Sequence, residues 1–259
     1  MMSDELTLTT TQAGGAAVLA ETVQPSQRPR PPYDSETHER LAARIEAEGY
    51  RVFWGEDARA WTRQHFGEWY ARLTAAERRG LETYVARGKV IGSHLRAGDG
   101  WGRGFIQDID SMLDEVRTPE AVALTRLWSI RPNPMLESQL TALRPGDVFT
   151  DRAFLSTSTA WTWGLQEVFQ NELLCPLHSV ILVPAGARLL PMWGRYIPSV
   201  TICGCEFPLA LPQLDPWRHE ILLPRDLPLR LLEQPAAENC YRFIFAALDE
   251  TAERGLGTS

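Results

Sequence analysis

Lysine is nearly missing from this sequence: Lys89 is the single one, so 25 of the 26 basic side chains are arginine. Lysine is ordinarily among the commonest residues. Two readings account for its loss, GC-rich codon usage or selection against acceptor amines in a chain exposed to a system that tags them. Cysteine is scarce too. Four thiols (Cys175, Cys203, Cys205, Cys240) in 259 residues are too few for a disulfide-stapled fold. Cys203 and Cys205 also stand too close in sequence to bridge comfortably, so reduced thiols are expected. Positive charge is not in excess. With 26 basic against 33 acidic side chains the formal charge is -7, which disfavours phosphate backbones and excludes nucleic acid as an expected partner. No apolar run reaches the ~18 residues of a membrane span, because the best stretch, residues 180–192, is broken by Pro184 and Arg188. The N-terminus lacks the basic region followed by an apolar one that marks a secretory signal.

What is present is globular composition: 44% hydrophobic, 23% charged, with 9 Trp, 9 Phe and 6 Tyr. At a loose prior of about 150 residues per domain, the length predicts one large domain, or one with an accessory lobe. Residues 1–34 are rich in Thr, Gln, Gly and Pro without a sustained period, which predicts a disordered leader. Residues 35–118 read as a helical lobe. Ser35 is placed to cap a first helix carrying Leu41 and Ile45 and ending at Gly49. Ala58, Trp61, His65, Trp69 and Leu73 form a second apolar stripe at helical spacing, which makes His65 a core or boundary residue and not a ligand.

Thr74-Ala75-Ala76-Glu77 is a capping box that opens a third helix over residues 75–87, with Leu81, Tyr84 and Val85 inward and Gly88 as its stop. Gly98, Gly100, Gly102 and Gly104 match neither the dinucleotide fingerprint nor a P-loop and read as turn glycines. Phe105, Ile109, Met112, Leu113 and Val116 predict a further helix, and Thr118-Pro119-Glu120 another helix start. From there the texture changes. Short runs at 124–130, 147–150, 154–158, 179–183, 220–223, 227–232 and 241–246 read as strands, so residues 119–259 form a β-rich core. Helices first and strands after, without βα alternation, predict an α+β fold.

Common hydrolytic chemistries fail on spacing. There is no Gly-x-Ser-x-Gly elbow, and His219-Glu220-Ile221-Leu222-Leu223 has Leu where a zinc protease needs its second histidine. Cys203 and Cys205 with His178 or His219 lack the flanking spacing of a tetrahedral set, so no metal is expected. An ordered trio remains: Arg126, then Ser156-Thr157-Ser158, then Glu220.

That order resembles the mono-ADP-ribosyltransferases of the Arg-Ser-Glu class. Residues 143–158 look like the family's second motif nearly throughout, and residues 220–225 look like its third. Residues 91–96 resemble its helical-lobe segment ending in Leu-Arg, with Gly92 where Asn is usual, and Leu127 stands where Gly commonly follows the motif arginine. The resemblance implies a split β-sheet core of two packed, mainly antiparallel sheets beside an N-terminal helical lobe. It also implies NAD as the substrate and a catalytic trio of Glu220, Ser156 and Arg126.

The residue types suit that chemistry. Departure of nicotinamide builds positive charge on the ribose, which calls for a fixed carboxylate, Glu220, holding the 2′-hydroxyl. A dianionic pyrophosphate calls for a planar fork of donors that never deprotonates, Arg126. Ser156 would orient Glu220, while Thr157 and Ser158 brace the strand and pocket. Trp193 and Tyr196 are candidates for stacking on nicotinamide.

Family members that modify arginine carry a second Glu two positions before the catalytic one. Arg218 stands there in this chain. A guanidinium at that place repels an arginine acceptor and favours a hydroxyl, and His219, of ordinary pKa about 6.5, is placed to take its proton. The loop at residues 207–217 carries Pro208, Pro212, Pro216 and Trp217 and looks built to dock a protein, which makes Trp217, Arg218 and His219 the acceptor-recognition candidates. Taken together these features resemble the bacterial effector family that ADP-ribosylates threonine of ubiquitin. That resemblance implies a secreted effector acting in the host cytosol, reached by type III export. The alternatives are an NAD glycohydrolase, a catalytically inactive NAD- or protein-binding module of the same fold, and a guanine-modifying transferase, the last opposed by the negative charge.

Overall fold

The protein is described by a computed structural model that covers residues 35–54, 57–128, 134–161, 177–192, 199–202, 205–208, 220–240 and 242–249. All of them lie in the unit spanning Pro31–Ser259. Four helices come first: α1 (Ser35–Ala47), α2 (Asp57–Arg72), α3 (Ala75–Ala97) and α4 (Arg103–Glu115). Leu41 and Ile45 of α1 are both buried, as their spacing predicts. In α2 the buried face is Ala58, Trp61, Thr62 and Phe66. It is rotated from the predicted stripe, so His65 is exposed, with its ring against Trp61 (centroids 5.7 Å apart) and Phe66 (6.4 Å). The aromatic side chains at 61 and 66 hold more area than a histidine, and they decide which face turns inward.

The Thr74 capping box forms as its sequence predicts, with both reciprocal bonds present. The helix does not stop at Gly88. It kinks at Arg87 (φ -134°, ψ 15°) and continues to Ala97, where Gly98 caps it in the left-handed conformation. Tyr84 is buried, but Val85 is 48% exposed, not inward. Thr118-Pro119-Glu120 starts no helix: the Thr118 hydroxyl donates to the Glu120 carbonyl, and the chain enters β1 (Val122–Trp128).

The remaining elements are α5 (Pro134–Ala142), β2 (Val148–Thr150), β3 (Leu155–Ser158), β4 (Leu177–Val183), β5 (Leu190–Pro191), β6 (Ser199–Ile202), β7 (Cys205–Pro208), β8 (Glu220–Leu223), β9 (Pro228–Glu233), a short 3-10 turn (Ala237–Asn239) and β10 (Phe243–Ala247). Eight strands form one sheet in the order β2-β9-β10-β4-β1-β3-β8-β5, and β6 and β7 form a hairpin. Pairing is antiparallel except between β10 and β4. The split lies between β1 and β3, which share the single register pair Thr125↔Ser158, whereas β1 and β4 pair over seven residues.

Polar and aromatic contacts among the described residues tie the helices to the strand-rich half. Arg225, after β8, reaches Asp110 of α4 at 3.1 Å, and Arg188 bridges Asp114 of α4 and the buried Asp249. Tyr84 of α3 meets Phe154 edge-on at 6.0 Å. Among the described residues no helix is long and apolar enough to cross a membrane. Cys240, which follows the 3-10 turn, is half-buried. Cys175, Cys203 and the Cys205 side chain lie outside the described residues, as does the predicted leader at 1–34.

Candidate active site

The site follows from the split. Thr125↔Ser158 is the last pair that β1 and β3 make, and beyond it a side chain spans the gap that backbone bonds would close: Arg126 Nη1 donates to the Ser156 carbonyl at 2.6 Å. On the other side of β3, the register pairs Ser158 with Glu220 and Ser156 with Leu222. Ser156 and Glu220 are therefore diagonal neighbours on one face, and the Ser156 hydroxyl donates to Glu220 Oε1 at 2.5 Å. Three adjacent strands thus bring Arg126, Ser156 and Glu220 together.

Thr157 and Ser158 act on the backbone. The buried Thr157 hydroxyl donates to the Ile221 carbonyl of β8 at 2.7 Å, and Ser158 Oγ accepts from the Ala160 amide at 3.1 Å. On the opposite flank Thr125 Oγ1 donates to the Ser158 carbonyl. These bonds hold the Ser-Thr-Ser strand end against both neighbours.

Burial sets the electrostatics. It raises the Glu220 pKa above the ordinary carboxylate range, against the pull of the Ser156 hydroxyl and the Arg126 charge. Burial also lowers the Arg126 pKa, an effect opposed by Asp151, Tyr84 and Glu220. Tyr84 is pushed up by burial first and by the Glu220 charge second, which places its phenol in the field of the site. Arg126 Nε is a buried donor with no partner among the described residues. An anion with several oxygens fits that free edge of the guanidinium, so the residues present suit a pyrophosphate.

Sequence reasoning missed several members of this neighbourhood. Arg96, at the end of the segment singled out in α3, is gripped by both carboxylate oxygens of the buried Asp151 at 2.9 and 2.7 Å. Asp151 sits inside the 143–158 motif segment, and that membership was the one signal available. Tyr84 and Trp128 were readable only as core. His178, weighed as a metal ligand, is half-buried, and desolvation beside the Arg242 and His38 charges pushes its pKa down to about 3. The acceptor-side candidates Trp217, Arg218 and His219, and the stacking candidates Trp193 and Tyr196, lie outside the described residues.

A carboxylate aimed by a serine, next to a half-buried arginine at the split of a mixed sheet, is suited to breaking a nucleotide's glycosidic bond. Comparison with known proteins gives the family. The ADP-ribosyltransferase exoenzyme family matches residues 58–247, and the chain belongs to that family. It is thereby an NAD-dependent mono-ADP-ribosyltransferase. In fold it is similar to the C3 exoenzyme of Clostridium limosum (TM-score 0.54, 19% identity, covering 79% of this chain and 98% of that one). It is also similar to an ADP-ribosyltransferase from Clostridium botulinum (0.53, 17%, 77% and 98%), and to a protein from S. aureus solved with NAD (0.52, 15%, 78% and 100%). Among curated proteins none matches.

Proposed function

We propose that this enzyme transfers ADP-ribose from NAD to a hydroxyl side chain, a threonine, of ubiquitin, and thereby blocks ubiquitination as a secreted effector that reaches the host cytosol by type III export. The catalytic unit is the helical lobe at 35–118 together with the β-rich core at 119–259. One observation carries the chemistry: the Ser156 hydroxyl holds Glu220 at 2.5 Å beside the Arg126 guanidinium.

Glu220, aimed by Ser156, holds the ribose 2′-hydroxyl. It offsets the positive charge that grows on the ribose as the bond to C1′ breaks and nicotinamide leaves with the electron pair. Arg126 takes the pyrophosphate through its free Nε edge. Arg96, held by Asp151 and near enough to influence the Arg126 charge, offers a second guanidinium to the same dianion. Thr157 and Ser158 keep the strand end in place. The acceptor oxygen then bonds to C1′ and gives up its proton, which His219 takes, while Arg218 excludes an arginine acceptor and docks acidic groups beside Trp217. The ubiquitin assignment is supported by Arg218 before the catalytic glutamate and by the near-absence of lysine.

The test incubates the protein and its Glu220→Ala variant with NAD and purified ubiquitin and reads intact masses. A gain of one ADP-ribose on ubiquitin that requires Glu220 supports the reading. Glu220-dependent release of nicotinamide with ubiquitin unmodified keeps the chemistry and discards the partner. No release by either protein would leave an inactive binding module.

A further inference from the structure

The arginine that spans the split stands on an unusual support. Arg126 and Trp128 are two apart on β1 and so share a face, and the Arg126 guanidinium lies over the Trp128 ring at 4.2 Å from its centroid. Trp128 is 1% exposed, and its indole N–H donates to Ser179 Oγ at 2.8 Å. Ser179, also buried, is the register partner of Arg126 on β4, and its hydroxyl donates back to the Arg126 carbonyl at 3.5 Å. The chain of contacts is closed: backbone of Arg126, Ser179, Trp128, guanidinium of Arg126. Phe149 meets the Trp128 ring at 90° and 5.4 Å and limits its rotation.

We propose that Trp128 and Ser179 are positioning residues for Arg126, forming a pedestal that fixes the guanidinium plane before the dianionic nucleotide arrives. The inference rests on the reading of Arg126 as the NAD anchor. A half-buried arginine whose hydrogen bond among the described residues runs through one nitrogen to a carbonyl is free to swing about that bond. An aromatic face beneath it removes that freedom, and the serine locks the face by accepting its only N–H. The order gained in advance is order that ligand binding need not impose. In a desolvated setting the cation–π contact is strong enough to matter: loss of the ring face should weaken NAD binding about 5- to 30-fold.

The experiment is titration of full-length protein with NAD by calorimetry, together with steady-state nicotinamide release. Trp128→Leu is expected to raise Kd and KM by that factor with kcat within about two-fold of wild type, and Trp128→Phe, which keeps an aromatic face, to recover most of the loss. Ser179→Ala, which deletes one oxygen and keeps the fold within reach if Trp128→Leu does not fold, is expected to raise KM about three-fold or more by freeing the ring. A structural role alone would lower kcat with the active fraction and leave KM unchanged, and that result in either folded variant overturns the proposal. Wild-type protein that binds no NAD overturns the anchor reading itself, a failure told apart from loss of the pedestal because it needs no variant.

Discussion

Glu220 is held at a cost that its proposed chemistry requires. Burial lifts its pKa, so the ionised carboxylate is disfavoured in the folded state relative to the unfolded chain. A group with a raised folded pKa contributes its stability below the unfolded pKa and loses it as pH rises through the folded pKa. At neutral pH ionised Glu220 therefore destabilises the fold. Glu220→Gln keeps an oxygen to accept the Ser156 hydroxyl and removes the buried charge. The variant should melt above wild type at pH 7, with the difference closing as the pH falls toward about 4. Its nicotinamide release should drop at least about 100-fold, the scale on which removal of a transition-state electrostatic partner acts. Thermal melts across that pH range check the first outcome, and a Tm below wild type at neutral pH contradicts the linkage.

At the scale of elements, the joint between α3 and α4 sets how the helices meet the sheet, since α3 carries Tyr84 and Arg96 and α4 carries Asp110 and Asp114. Gly98 and Gly102 frame that joint with φ of 69° at both. They differ in their surroundings: a Cβ at Gly98 meets nothing within 4 Å, whereas one at Gly102 would lie 2.2 Å from the Phe105 ring. Gly98→Ala should cost about 1–2 kcal/mol, the left-handed penalty alone. Gly102→Ala should cost more, because Phe105 must also leave its seat, and chemical denaturation of the pair measures the gap. Equal losses would mean that the ring yields freely.

Legibility in the sequence varied for physical reasons at this same scale. The strand runs bounded by Pro and Gly match β1, β2, β3, β4, β8, β9 and β10 to within three residues. β5, only two residues long, has no period to read, and α5 begins in a Pro-Asn-Pro stretch that reads as loop. The split was legible through resemblance, and the meeting of Ser156 with Glu220 through the order of motifs. The Arg96–Asp151 grip and the Trp128–Ser179 bond were not, because they join positions 55 and 51 residues apart and leave no local pattern.

For the whole molecule, the arginine-for-lysine bias has two candidate causes that composition alone does not separate. Codon usage acts on the gene and predicts no consequence of restoring lysine. Selection against acceptor amines acts on the folded surface and predicts one. Arg72 and Arg79 are exposed on α2 and α3, so Arg72→Lys and Arg79→Lys keep the formal charge at -7 and should change stability by less than about 0.5 kcal/mol. The pair raises the number of lysine side chains from one to three while charge and fold stay constant. Expressed in eukaryotic cytosol on a Glu220→Ala background, which removes any action on the tagging machinery itself, the double variant should have a half-life at least about two-fold shorter. An inhibitor of the proteasome should restore it, since abundance in cells follows degradation of the exposed chain. Equal half-lives with and without the added lysines would assign the bias to the genome. A shorter one would mean that the surface of this enzyme is shaped by the pathway its active site is proposed to block.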